Sequence, residues 1–148
     1  MARFSAAVVA LAALLLAGCV GPSRTDRDYR EKAANAAESM VSVVETARLT
    51  VESDARGNST ARYTSLSLSE GEDDASSIAM SFEVVQPPSR DAEQLRTDLS
   101  SLFSEVSTVL GDLRIAARAG RGHELPSIAE PLPELTARLK KFMELAST

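Results

Sequence analysis

Between Leu95 and Ala116 the apolar residues fall at Leu95, Leu99, Leu102, Val106, Val109, Leu113 and Ala116, in steps of 4, 3, 4, 3, 4 and 3. That spacing keeps one face of an α-helix apolar for about six turns, whereas a strand would scatter the same residues over both of its faces. A stripe of this length cannot be left in water. Its alternation of threes and fours is the repeat by which helices pack against helices at crossing angles of about 20°. Whatever else the chain does, it must supply other helices to cover this one.

Three more segments read that way. Ala33, Ala37, Met40, Val44, Ala47 and Val51 step by 4, 3, 4, 3 and 4, behind a Thr25–Asp28 start that resembles a capping box. Arg56-Gly57-Asn58 is a stop, with a cation at the negative helix end and a glycine free to turn left-handed. In the serine-rich stretch that follows, Thr64 to Leu68 alternates like a strand. Thr64, Leu68, Gly71, Ala75, Ile78, Phe82 and Val85 nevertheless keep the helical spacing, and the longer pattern predicts a helix over 60–86. Gln86-Pro87-Pro88 ends it, and Ser89 caps the helix of the Leu95–Ala116 stripe. Arg114, Arg118 and Arg121 gather at that helix's carboxyl end, and Gly120 and Gly122 stop it. A fourth helix is expected over 131–146. Glu130 would be its cap, Pro131 and Pro133 would lie in the first turn, and Leu132, Leu135, Leu139 and Phe142 would face inward. Leu125 and Ile128 would plug the end of the core.

The expected fold class is therefore all-α, an up-down-up-down antiparallel four-helix bundle with a short fourth helix, in one domain over 26–148. Composition agrees. There is no tryptophan, only four phenylalanines and two tyrosines, and one cysteine, so no intramolecular disulfide can form. The net charge of −5 comes with no strong basic patch, which argues against a nucleic-acid partner.

Residues 1–18 differ from the rest. Arg3 is followed by an apolar run, Ala6 to Ala17, the length of a secretory signal core and short of the ~20 residues that span a bilayer. The run ends Leu16-Ala17-Gly18-Cys19. This resembles the lipobox of bacterial lipoproteins, and the excess of arginine (13) over lysine (3) fits a GC-rich, actinobacterial genome. The resemblance covers only the leader. It implies transfer of diacylglycerol to the Cys19 sulfur, cleavage before Cys19, and often a further palmitate-like acyl chain on the new amino terminus. One acyl chain holds a membrane marginally and two or three hold it stably. Residues 19–25, with Gly21 and Pro22, would then be a lipidated tether at the extracytoplasmic face of the cell membrane. The competing readings are an ordinary signal peptide that happens to contain a cysteine, or an uncleaved cytosolic hydrophobic helix.

Catalytic parts are scarce. Cys19 is committed to lipid. His123, the sole histidine, lies in a loop between glycine and glutamate and reads as solvated. Glu70, Asp73 and Asp74 fall at i, i+3 and i+4 and share a helix face, without the spacing of a calcium loop or the Glu-x-x-His of a bundle di-iron site. They read as a solvated acidic face. Met40, Met80 and Met143 read as core fillers rather than metal or haem ligands. No catalytic residue, metal or cofactor is assigned.

What remains is a lipid-anchored, non-catalytic interaction module that meets a protein partner or a second copy of itself through an exposed helix face. The alternative is a carrier that holds an apolar ligand such as a lipid between its helices. With the first three helices at about 28–30 residues and the fourth at about 16, the tether end would be a stretch of three helices. There Ile78, Phe82, Val85, Leu95, Leu99 and Phe103 face the small side chains of Ala33, Ala36 and Ala37. Those residues either close into a tight core or leave a candidate apolar groove, with Phe82, Val85, Leu95, Leu99 and Phe103 as its lining.

Overall fold

The computed structural model describes residues 25–147, which are helical apart from short links, with no strand among them. Four helices carry the mass: α1 (Asp26–Ala55), α2 (Ala61–Glu83), α3 (Arg90–Arg118) and, after a 3₁₀ turn (Gly122–Glu124) and the single-turn α4 (Leu125–Ile128), α5 (Leu132–Ala146). None of the described helices is long and apolar enough to cross a membrane.

The ends are set by local chemistry. Side-chain oxygens of Thr25, Thr60 and Ser89 accept the N–H groups of Asp28, Tyr63 and Ala92 at 3.1, 3.2 and 3.1 Å, each satisfying a donor that the first helical turn leaves without a partner. At the far end of α1, Gly57 takes φ +72°. Its N–H donates to the Asp54 carbonyl, and the Asn58 N–H donates to the Ser53 carbonyl, both at 2.9 Å. Gly120, at φ +70°, ends α3 in the same way.

Two boundaries differ from expectation. α2 has 23 residues and stops at Glu83 rather than near residue 86. The amides that would bond to the carbonyls of Glu83 and Val84 belong to Pro87 and Pro88, which have no N–H. The Val85 N–H instead turns back to the Phe82 carbonyl at 3.0 Å. At α5 the cap position is Pro131, not Glu130, and no side chain caps it. The chain arrives there already turning, with the Leu132 N–H held by the Ala129 carbonyl at 3.0 Å.

α1 is the hub, packed against α2, α3 and α5, while α3 also packs against α2 and α5. These contacts suit a helical bundle. The stripe expected for α1 is buried at every position, from Ala33 to Val51. On α3, Leu99, Leu102, Val106, Leu113 and Ala116 are buried, Leu95 and Val109 are half-buried, and Phe103 and Leu110 widen the stripe. Leu132, Leu135, Leu139 and Phe142 of α5 are buried, as is Leu125 of α4, with Ile128 half-buried beside it. Each leucine taken wholly from water contributes about 1.5–3 kcal/mol, so these faces dominate the favourable side of folding. Small residues at Ala33, Ala37 and Ala47 let the neighbours of α1 come close.

Candidate functional site

Cys19 and the Leu16–Cys19 box lie outside the described residues. The described chain starts at Thr25, at the end of the bundle where Tyr29 of α1 meets Phe82 near the end of α2, with ring centroids 5.8 Å apart. The last residues of α5 reach the same end. Ala146 and Ser147 line a cleft of about 740 Å³ with Asp26, Arg27, Arg30, Glu31, Ala34 and Asn35 of α1. α5 thus climbs to the level of Ala34, and the notch beyond it is lined mainly by polar and charged side chains.

The residues assigned to an apolar groove separate into two sets. Phe82, Leu99 and Phe103 are almost wholly buried, and Phe103 stands edge-on to Phe82 at 6.0 Å. Val85 and Leu95 are half-buried, as is Ile78. Tyr29, on the first turns of α1, joins the core at this end beside Phe82. It is fully buried, and burial pushes its hydroxyl above the usual tyrosine pKa, with Arg96 acting in the opposite sense. That hydroxyl has no hydrogen-bond partner, nor has the buried Nε of Arg96.

The opposite situation holds on the outer side of α2, which packs only against α1 and α3 among the larger contacts. Tyr63, Leu66, Met80 and Val84 are 61, 57, 59 and 63 % exposed. With Glu70, Asp73 and Ser77 between them, they step by 3, 4, 3, 4, 3 and 4 along the helix. This is a second stripe on the solvent face, apolar at both ends and acidic in the middle. Glu70, Asp73 and Asp74 are exposed there. Scattered apolar residues on a surface are ordinary; four on one face of one helix are not scattered. The sequence reading placed Met80 among the core fillers, and the structure corrects it. Met40 is fully buried and Met143 half-buried, but Met80 points to solvent. The signal is present in the spacing 63, 66, 70, 73, 77, 80, 84, on the side of the helix opposite the inner stripe of Thr64, Leu68, Ala75 and Phe82.

Polar bonds tie the flanks of α2 down. Arg114 of α3 reaches across to Glu72 with two hydrogen bonds, the longer of them 3.3 Å, and Arg118 donates to the Ser69 hydroxyl at 2.9 Å. The bond to Glu72 raises the Arg114 pKa further. Arg114 and Arg118 thus fasten α3 to α2, in addition to any effect on the helix dipole. With Asp73, Ser76 and Ser107 these residues line a polar cleft of about 390 Å³. Glu105 of α3 accepts Arg138 of α5 at 2.5 and 2.8 Å, and that bond holds its carboxyl below the usual range.

His123 sits in the 3₁₀ turn with its side chain 82 % exposed, 3.9 Å from Glu124. Among the described residues no three His, Cys, Asp or Glu side chains stand close enough to hold a metal ion. Comparison with protein-family models, with curated proteins and with solved structures finds no match.

Proposed function

We propose that this chain is a membrane-anchored extracytoplasmic lipoprotein whose helical bundle is a non-catalytic interaction module, with the outer face of α2 as its docking surface. The observation that carries the reading is the exposure of Tyr63, Leu66, Met80 and Val84 on one side of one helix. The anchoring half rests on Leu16-Ala17-Gly18-Cys19. We take the bundle to be up-down-up-down, which the order of paired residues supports. Thr64 and Ser67 of α2 bond back to Asp54 and Thr50 of α1, and Ser69 and Glu72 of α2 meet Arg118 and Arg114 of α3, so rising numbers on one helix meet falling numbers on the next.

The test has two arms. Cys19→Ala should leave the leader uncleaved or free the protein from the membrane fraction; a processed variant that still partitions into detergent would defeat the anchoring half. For the interaction half, a photo-reactive side chain at position 70, flanked by Leu66 and Met80 on the same face, should form a discrete crosslink in intact membranes. The crosslink should vanish in a chain carrying Leu66→Ser and Met80→Ser. A crosslink unchanged by those substitutions defeats the docking surface.

The carrier reading draws on Val85 and Leu95, which keep some exposure at the tether end. It requires that an apolar dye bind the purified protein and that Leu99→Asp remove the binding with the fold intact. The burial of Phe82, Leu99 and Phe103 favours the interaction module instead.

A further inference from the structure

The outer face of α2 has a pattern that selects its occupant. Its apolar pairs, Tyr63 with Leu66 and Met80 with Val84, lie at the two ends of the helix, with Leu66 and Met80 about 21 Å apart along the axis. Between them stand Glu70, Asp73 and Asp74, which take part in none of the salt bridges of the described residues. The acidic residue that does pair, Glu72, points toward Arg114 on the flank and is half-buried. Of the exposed acids, Asp73 also lines the polar cleft beside Arg114 and adds to the field on that guanidinium, while Glu70 and Asp74 enter no ion pair of the described residues and stand open on the face.

A second copy of α2 fits this face badly. In an antiparallel pairing that brings Tyr63 opposite Val84, residue 73 of one copy comes opposite residue 74 of the other, and aspartate meets aspartate. A parallel pairing sets Glu70 against Glu70. Like charges brought together at the centre of an interface repel, and desolvation there strengthens the repulsion. The apolar ends cannot be covered by self-pairing without that conflict.

Building on the interaction reading above, we propose that the partner is a helix of another protein, as long as the Tyr63–Val84 stretch, apolar at both ends and carrying two or three lysines or arginines in its middle turns. The apolar ends would supply affinity by leaving water, and the charges would fix register and orientation and exclude acidic helices. Such a partner lies along α2 and covers both apolar pairs at once, which a short peptide cannot do.

Two synthetic helices of that length serve as probes. Both carry leucines placed to meet Tyr63, Leu66, Met80 and Val84; one has three central lysines and the other three central glutamates. Each is titrated onto the detergent-solubilised full chain. The lysine helix should bind at least about tenfold more tightly, the sum of several exposed pairs, and should weaken as salt is raised. Glu70→Lys with Asp73→Lys and Asp74→Lys should reverse the preference, circular dichroism confirming that these exposed changes leave the fold in place. Equal binding of the two helices, binding of neither, or no reversal in the lysine variant overturns the proposal. So does a dimer in sedimentation that Leu66→Ser and Met80→Ser dissolve, because the occupant is then a second copy. If those two serines abolish the membrane crosslink while the probes do not discriminate, the docking surface stands and only the basic partner fails. If the crosslink survives the serines, the docking surface itself has failed.

Discussion

The hydroxyl of Thr64, a residue 1 % exposed, donates to the carboxylate of Asp54 at 2.7 Å and lies 2.9 Å from the hydroxyl of Ser59. The three residues close the turn between α1 and α2 from inside. Thr64→Val keeps the shape and removes the donor, leaving a half-buried carboxylate short of a partner. The expected loss is about 1–3 kcal/mol, read as a lower urea midpoint with the slope unchanged. A variant as stable as the parent would show that the clasp is ornamental.

The inner and outer faces of α2 should answer differently to truncation. Phe82 is buried between Tyr29 and Phe103, and Phe82→Ala should cost about 3–5 kcal/mol. Ile78 is half-buried and Ile78→Ala should cost less. Ser77 and Ser81 are exposed, and their alanine variants should stay within about 0.5 kcal/mol of the parent. Thermal or urea unfolding that ranks all four alike would contradict the face assignment.

Tyr29→Phe is a case where removing a polar group should do no harm. The hydroxyl is buried and unpartnered, so its loss removes a desolvation penalty and leaves the ring contact with Phe82 intact. The variant should be at least as stable as the parent. A loss of more than about 1 kcal/mol would mean that the hydroxyl has a partner in solution, since a typical internal hydrogen bond contributes about that much.

The Glu105–Arg138 pair gives an acid-side prediction. Arg138 depresses the folded-state pKa of Glu105, so the folded protein holds that carboxylate charged at pH values where the unfolded chain would protonate it. The stabilisation is complete above the unfolded value of about 4.3 and is lost as pH falls through the lower folded value. Both side chains are more than a third exposed, so the effect is small and sensitive to salt. Arg138→Gln should lower the urea midpoint at pH 7, and the gap between parent and variant should close as the pH falls below the carboxylate range and Glu105 is protonated in both states. A gap that persists undiminished in acid would rule the ion pair out as its source.

Much of this architecture is legible in the order of the residues because it is local. The α1 stripe, the caps at Thr25 and Ser89, and the stops at Gly57 and Gly120 are set within a few positions of one another, where spacing and backbone preference act directly. The length of α2 was less legible. Its end depends on which carbonyls lose their donors to Pro87 and Pro88, a count that a hydrophobic pattern does not make. The roles of Arg114 and Arg118 could not be read at all, since their partners Glu72 and Ser69 lie 42 and 49 residues away. Tyr29 stayed hidden for a related reason. It precedes the alanine stripe by one helical turn, and only the meeting of α1 with Phe82 and Phe103 turns it from a flanking aromatic into the filling of the core. For the candidate docking surface the obstacle was different. A stripe of alternating threes and fours signals a face to be covered but not whether the chain itself covers it, and Met80 belongs to a stripe that it does not.

The position of α1 at the hub has a mechanical side. The chain leaves the described structure at the first turn of α1, and α1 lies lengthwise against α2, α3 and α5. A pull on the residues ahead of Thr25 enters α1 end-on. If α2 is held by whatever sits on its outer face, the load between the two helices runs parallel to their interface. It is then shared by the row of contacts from Tyr29 and Phe82 to Asp54 and Thr64, instead of opening them one at a time from an end. Tension applied between the amino terminus and the outer side of α2 would therefore load the α1–α2 interface in shear along its whole length.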